Sequence, residues 1–144
     1  MKLVQLERDA LLKPLQAVTG IVEKRHTLPI LSNVLIERKQ GKLSMMATDL
    51  EIQVATSTEL GKDKGEDTSL TVSARKLQDI LRSLPEATEA ALEVQNNRLQ
   101  VRSGKSRFNL QTLPAADFPA MSDPGTAQAK VSMPQKALRE LLLL

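Results

Sequence analysis

The 144-residue chain has no cysteine, no tryptophan and no tyrosine, and only one histidine and two phenylalanines. Without thiols there is no disulfide framework, no cysteine-ligated zinc site and no cysteine nucleophile. The lone His26 excludes a two-histidine metal motif and leaves little room for a Ser-His-Asp arrangement. Between Arg25 and Thr27-Leu28-Pro29 it reads as a surface-loop residue rather than a pH-tuned group. No apolar run approaches the roughly 20 residues that span a bilayer. Glu7 and Asp9 interrupt the opening segment where a secretory leader would be uniformly apolar, so a cytoplasmic location is expected. Walker-type and GxGxxG phosphate loops and HExxH are absent as well.

Charge is nearly balanced: 20 Lys plus Arg against 17 Asp plus Glu, a net of +3. Distribution says more than the total. Residues 1–68 carry ten bases and ten acids, whereas the stretch from Arg98 to Arg107 has four bases (Arg98, Arg102, Lys105, Arg107) and no acid. The length suits one domain that buries roughly two-thirds of its unfolded surface, with a short extension.

A strand-then-helix pattern recurs. Leu3–Leu6 precedes a helical stretch at Ala10–Val18; sixty-six residues on, Leu70–Val72 precedes Ala74–Leu84, and Leu6, Leu11, Leu15 and Val18 fall on Val72, Leu77, Leu81 and Leu84. Pro14 implies a kink or late start in the first helix. A third copy opens at Lys130–Met133 with Pro134 at its helix start. Between the helices, apolar residues alternate. Val34–Glu37 turns at Lys39–Lys42 into Leu43–Ala47, followed by Leu50–Ala55; Leu92–Val94 turns at Asn96-Asn97 into Leu99–Val101, and Ser103-Gly104 leads to Phe108–Gln111. Each unit is then one helix with antiparallel strands, and two units make one α+β domain. Leu113–Gln128, rich in turn residues, reads as an inter-domain linker. The third unit runs into Leu141–Leu144 with no strands to cover its helix, so the chain is expected to be the N-terminal piece of a longer protein.

Candidate chemistry is sparse. Asp49 and Glu51, two apart, would share a strand face and could act as acid and base or hold a metal. With no third acid or histidine nearby, a turn-forming aspartate on a solvated face is the better account. On the second helix Leu77, Leu81 and Leu84 form a core face, Arg75, Gln78, Asp79 and Arg82 lie opposite, and Lys76 with Ile80 lies to one side. A Gln/Lys/Arg face without aromatics can touch phosphates but cannot stack bases; it also describes an ordinary solvated face. The hairpin Arg98–Leu110 sets Phe108 and Leu110 among Arg98, Lys105 and Arg107. That suits an interface with an acidic partner, and equally a charge-protected edge strand.

Arg25–Leu35 (RHTLPILSNVL), Thr48–Glu51 (TDLE), and Val101–Leu110 (VRSGKSRFNL) followed by Leu113–Pro119 (LPAADFP) together closely resemble the beta sliding clamps of bacterial DNA polymerase III, in order along the whole chain. The resemblance implies a DNA-clamp fold: three domains per subunit, two subunits head to tail in a six-domain ring, helices inside and sheets outside. Residues 1–124 would be the first domain, and 125–144 a linker with the first strand and helix of a truncated second. It implies a non-enzymatic processivity factor that encircles duplex DNA and tethers the replicative polymerase, with no cofactor or metal. Lys13, Arg75 and Arg82 would meet the DNA backbone from the helix face, and Lys24 and Arg25 from a loop. Lys76, Ile80, Leu84, Arg98, Lys105, Arg107, Phe108 and Leu110 would meet an acidic surface on the second subunit. Polymerase III and the clamp loader would bind domains outside this chain, which alone would be monomeric or self-associate only weakly. Ile21–Glu23 and the loop Gly61–Thr68 match no family pattern. The alternative is a sequence-indifferent DNA-binding module gripping through hairpin 98–107, with tight, steeply salt-dependent binding.

Overall fold

The computed structural model describes residues 2–22, 29–61, 65–119 and 132–143. The first unit comprises strand β1 (Lys2–Glu7), helix α1 (Arg8–Thr19) and strands β2 (Asn33–Lys39), β3 (Lys42–Thr48) and β4 (Gln53–Glu59). The second repeats that order as β5 (Thr68–Ser73), α2 (Ala74–Ser83), β6 (Glu89–Gln95), β7 (Arg98–Ser103) and β8 (Ser106–Leu113). Period-two burial along β2 and β3 and the buried stripe Leu11, Leu15, Val18 on α1 follow from the apolar spacing.

The units exchange their first strands. β1 pairs with β6 and β5 with β2, so one antiparallel sheet runs β1-β6-β7-β8-β5-β2-β3-β4. The registers match under the repeat: Val4 faces Leu92 and Leu6 faces Ala90, as Leu70 faces Ile36 and Val72 faces Val34. Only Thr71–Leu113 and Val72–Thr112 join β5 to β8. A buried relay supports that narrow seam: Asn33 Nδ2 donates to Thr71 Oγ1 at 3.1 Å, and Thr71 Oγ1 donates to the Leu113 carbonyl at 3.0 Å.

Both helices pack on one face of the sheet, α1 over β3 and β4, α2 over β2, β5 and β8, and against each other. Leu11, Leu15, Val18, Leu77 and Leu81 are fully buried there with Ile36, Met45, Leu92 and Leu99. α2 is capped at its start by Ser73, whose hydroxyl accepts from the Lys76 amide. Pro14 neither starts nor stops α1, which begins six residues earlier and runs through it. Two-residue turns close the β2–β3, β6–β7 and β7–β8 hairpins: Gln40 and Gly41 both adopt positive φ, a geometry that glycine takes without steric cost.

Three expectations are corrected. First, the strand expected from Leu50 starts at Gln53. Asp49 Oδ1 accepts from the amides of Glu51 and Ile52 at 2.9 and 2.7 Å, and Thr48 Oγ1 accepts from the Leu50 amide and donates to the Ile52 carbonyl. These bonds hold a turn with Leu50 at φ +82° and leave Leu50 and Ile52 about half exposed. Second, the expected linker begins too early. β8 continues to Leu113, a 3-10 turn spans Ala115–Asp117, and Phe118 is buried. Third, Ser132 and Met133, expected in a strand, are outside regular structure ahead of helix α3 (Gln135–Leu142). Residues 130–131 lie outside the described residues. The loop before β5, to which the sequence assigned no role, has a packing role. Arg38 faces inward from β2, is buried, and its Nη1 donates to the Leu3 carbonyl at 2.6 Å, while the Glu66 amide donates to the Lys2 carbonyl at 3.1 Å. These bonds tie β1 to the far half of the sheet. Gly65 fits only because it lacks a Cβ, which would lie 2.5 Å from the Leu3 oxygen and 2.8 Å from Arg38 Cζ.

Candidate functional sites: a helix face and a strand edge

The first site is the solvent face of the helix layer. Arg8, at the start of α1, sets how the helices lie. Its amide donates to the Thr88 carbonyl at 2.8 Å, and its guanidinium donates to the Leu84 carbonyl at 2.9 Å while Asp9 Oδ1 holds its other edge. The N-terminus of α1 therefore abuts the C-terminus of α2, where a cation complements the helix dipole. Sequence reasoning passed over Arg8; a lone arginine in a helical first turn carries no signal that it will cap a helix 74 residues away.

Lys13, Arg75 and Arg82 are exposed on this layer, and among the described residues none has an ion-pair partner. Arg75, Gln78, Asp79 and Arg82, with Thr19 of α1, line a small polar cavity of about 220 Å³. A face of unpaired cations without an aromatic ring can attract phosphates without reading bases. Lys24, Arg25 and His26 lie outside the described residues.

The second site is the β8 edge. From Ser106 to Gln111 β8 is paired through β7, and among the described residues it gains a second neighbour only at Thr112 and Leu113. Unpaired strand backbone is a template for another strand. Phe108, half-buried, and Leu110, buried, face the helices, and α2 presents Lys76, exposed, and Ile80, half-buried, on the same side of the sheet. Leu84 is also buried, closing the end of α2, so Leu84 and Leu110 support this edge rather than project from it. Lys105 and Arg107 are exposed at and beside the hairpin turn, and Arg107 helps border a cleft of about 580 Å³ that includes Leu84, Pro85, Gly104 and Ser106.

The four-base stretch does not form one patch. Arg98 pairs opposite Gln111 at the far end of the hairpin, about 17 Å from the turn at the rise of a strand. Arg102 stands directly opposite Arg107, a like-charge pairing, and is bound to Glu93 in an ion pair. What remains is a polar strand edge with a half-buried phenylalanine, a weaker match to a continuous phosphate-tracking groove. Asp49 and Glu51 do not share a strand face, and Asp49 Oδ1 is engaged in its turn.

The family described as DNA polymerase III beta subunit, N-terminal domain, matches residues 1–122. The beta sliding clamp of Pseudomonas aeruginosa is 45% identical over 137 residues, covering 95% of this chain and 37% of that protein. The beta sliding clamp of Escherichia coli K12 is 44% identical over the same share of each. The crystal structure of the DNA polymerase III subunit beta from Pseudomonas aeruginosa superposes with a TM-score of 0.92 at 44% identity, over 99% of this chain and 38% of that one. The fold is thus that of a clamp domain, and the chain spans little more than a third of the length of these relatives.

Proposed function

This chain belongs to the family of DNA polymerase III beta subunits, and on that footing we propose that residues 1–124 form the first domain of a sliding clamp. The clamp is a ring of two head-to-tail subunits that encloses duplex DNA and tethers the replicative polymerase. It is cytoplasmic and catalyses no reaction. Residues 125–144 join this domain to a second of the same fold; the exposed Leu138, Leu141 and Leu142 of α3 are the apolar stripe that the rest of that domain covers. Polymerase and clamp loader dock on the later domains.

The observation that carries this reading is the placement of both helices on one face of the sheet, with Lys13, Arg75 and Arg82 on its solvent side, unpaired among the described residues. Few, unstacked cations give an attraction too weak to hold DNA in one register, which suits a ring that slides. Lys24 and Arg25, which lie outside the described residues, are proposed as further DNA contacts on the family likeness alone. The β8 edge, with Lys76, Ile80 and Phe108, flanked by Arg98, Lys105 and Arg107 and backed by Leu84 and Leu110, receives an acidic surface of the partner subunit. Such a heterologous contact closes into a ring through the intervening domains. The chain alone, lacking the complementary surface, is monomeric.

The competing reading, a module gripping DNA through residues 98–107, is disfavoured by the Arg102–Glu93 ion pair and by the distance between Arg98 and Arg107. One experiment separates the two. The full-length protein is loaded by its clamp loader on nicked circular plasmid, and retention is measured before and after linearisation. Retention lost on cutting supports the ring; equal retention on both forms refutes it and removes the β8 edge from the subunit interface.

A further inference from the structure

The DNA-facing reading of the helix layer, on which this inference rests, leaves one residue without a purpose. Arg75, Asp79 and Arg82 stand at i, i+4 and i+7 on α2 and so form one ridge. Along the axis the acid lies about 6 Å from one base and about 4.5 Å from the other. All three are exposed, none has an ion-pair partner among the described residues, and all line the polar cavity beside Thr19 and Gln78. Asp79 is the sixth of ten residues in its helix, beyond the first turn where an acid would favour the helix dipole. It makes no cap hydrogen bond; that role belongs to Ser73. A carboxylate that neither caps, nor pairs, nor packs stands between two cations on the surface that meets a polyanion.

We propose that Asp79 limits affinity. A phosphate approaching the midpoint of the Arg75–Arg82 ridge meets a like charge, so the ridge does not become a fixed phosphate seat. The two guanidiniums still draw the duplex in by their longer-range field, while the acid raises the energy of the bound registers relative to the passage between them. Such a surface attracts DNA and lets it move.

The test uses this chain with a mixed-sequence duplex of about 20 base pairs, titrated by NMR shift perturbation at about 20 mM salt and again above about 200 mM. Asp79→Asn is compared with Asp79→Glu, Arg75→Ala and Arg82→Ala, with thermal unfolding by circular dichroism as the check on folding. The expected result is binding about three- to tenfold tighter for Asp79→Asn at low salt, fading as screening grows. Asp79→Glu keeps the charge and shows no gain. Each arginine variant binds more weakly, with a salt slope smaller by about one. If the arginine variants weaken binding but Asp79→Asn leaves it unchanged or weaker, the inference is overturned while the DNA-facing reading stands. A gain that persists at high salt, or that Asp79→Glu shares, overturns it too, since charge is then not the cause. If Asp79→Asn shows no binding even at low salt, the inference is overturned; if binding is seen and neither arginine matters to it, the DNA-facing reading falls and takes this inference with it.

Discussion

Arg38 offers a perturbation whose size can be worked out. Its guanidinium is buried and donates to the Leu3 carbonyl at 2.6 Å, bridging β2 to β1 beneath Gly65. Arg38→Met keeps most of the apolar stem and removes the charged donor. A hydrogen bond to a charged group is worth about 1.5–3 kcal/mol net, so a loss of about 2 kcal/mol is expected. That is a substantial part of the roughly 5–15 kcal/mol that holds a domain folded. Gly65→Ala attacks the same contact from the other side: its Cβ would sit 2.5 Å from the Leu3 oxygen and 2.8 Å from Arg38 Cζ. Forcing a methyl into such a space costs about 1–3 kcal/mol. With Arg38 replaced by methionine, one of the two obstacles is gone. The double variant should therefore be less damaged than the sum of the singles by about 1 kcal/mol. The chain has no tryptophan or tyrosine, so urea unfolding is followed by far-ultraviolet circular dichroism. The midpoint should fall by about 1 M for Arg38→Met with the slope unchanged. A cost below about 0.5 kcal/mol for Arg38→Met, the usual range for an inconsequential surface site, or strict additivity of the two changes, would refute the bridging role.

Other substitutions probe other parts of the molecule. Leu77→Ala, at a fully buried position of α2, should cost about 2–5 kcal/mol in urea unfolding. Leu50→Gly should raise the thermal midpoint slightly, by relieving a φ of +82° at a half-exposed position that gives up little packing; a lowered midpoint would mean that the leucine side chain holds the turn. Arg8→Ala should cost about 1–2 kcal/mol through the carbonyls it leaves at the end of α2, measured by chemical unfolding. In the full-length protein, Phe108→Ala should preserve the domain's circular dichroism yet shift the ring toward single subunits in sedimentation, because a half-buried aromatic at a strand edge serves its partner more than its own core. An unchanged dimer would remove Phe108 from the interface.

Much of the architecture is carried by local pattern. The faces of both helices, the hairpin turns at Gln40-Gly41, Asn96-Asn97 and Gly104, and the repeat of one unit by the next all follow from apolar spacing and turn chemistry, which act within a few residues. The exposed bases Arg75 and Arg82 were legible for the same reason: a helix period places them opposite Leu77 and Leu81. Leu50 and Ile52 continue the alternation of a strand, but local side-chain bonds of Thr48 and Asp49, two to four residues away, override it. Other features depended on residues distant in the chain. Leu113–Phe118 has the composition of a linker, yet Thr71 captures its first residue, Leu113, into the sheet, and Phe118 is buried. A basic stretch from Arg98 to Arg107 is continuous only in sequence, because the hairpin carries Arg98 to the far end and Glu93 of the neighbouring strand binds Arg102.

By itself, then, the order of residues determined the elements and the resemblance to a known family, since propensity, periodicity and capping need no distant partner. Tertiary structure alone decided the exchange of β1 and β5 between units, the inward turn of Arg38 toward the Leu3 carbonyl, and the open edge of β8. Each of these is a pairing between segments tens of residues apart, set by which groups satisfy one another once the chain has closed.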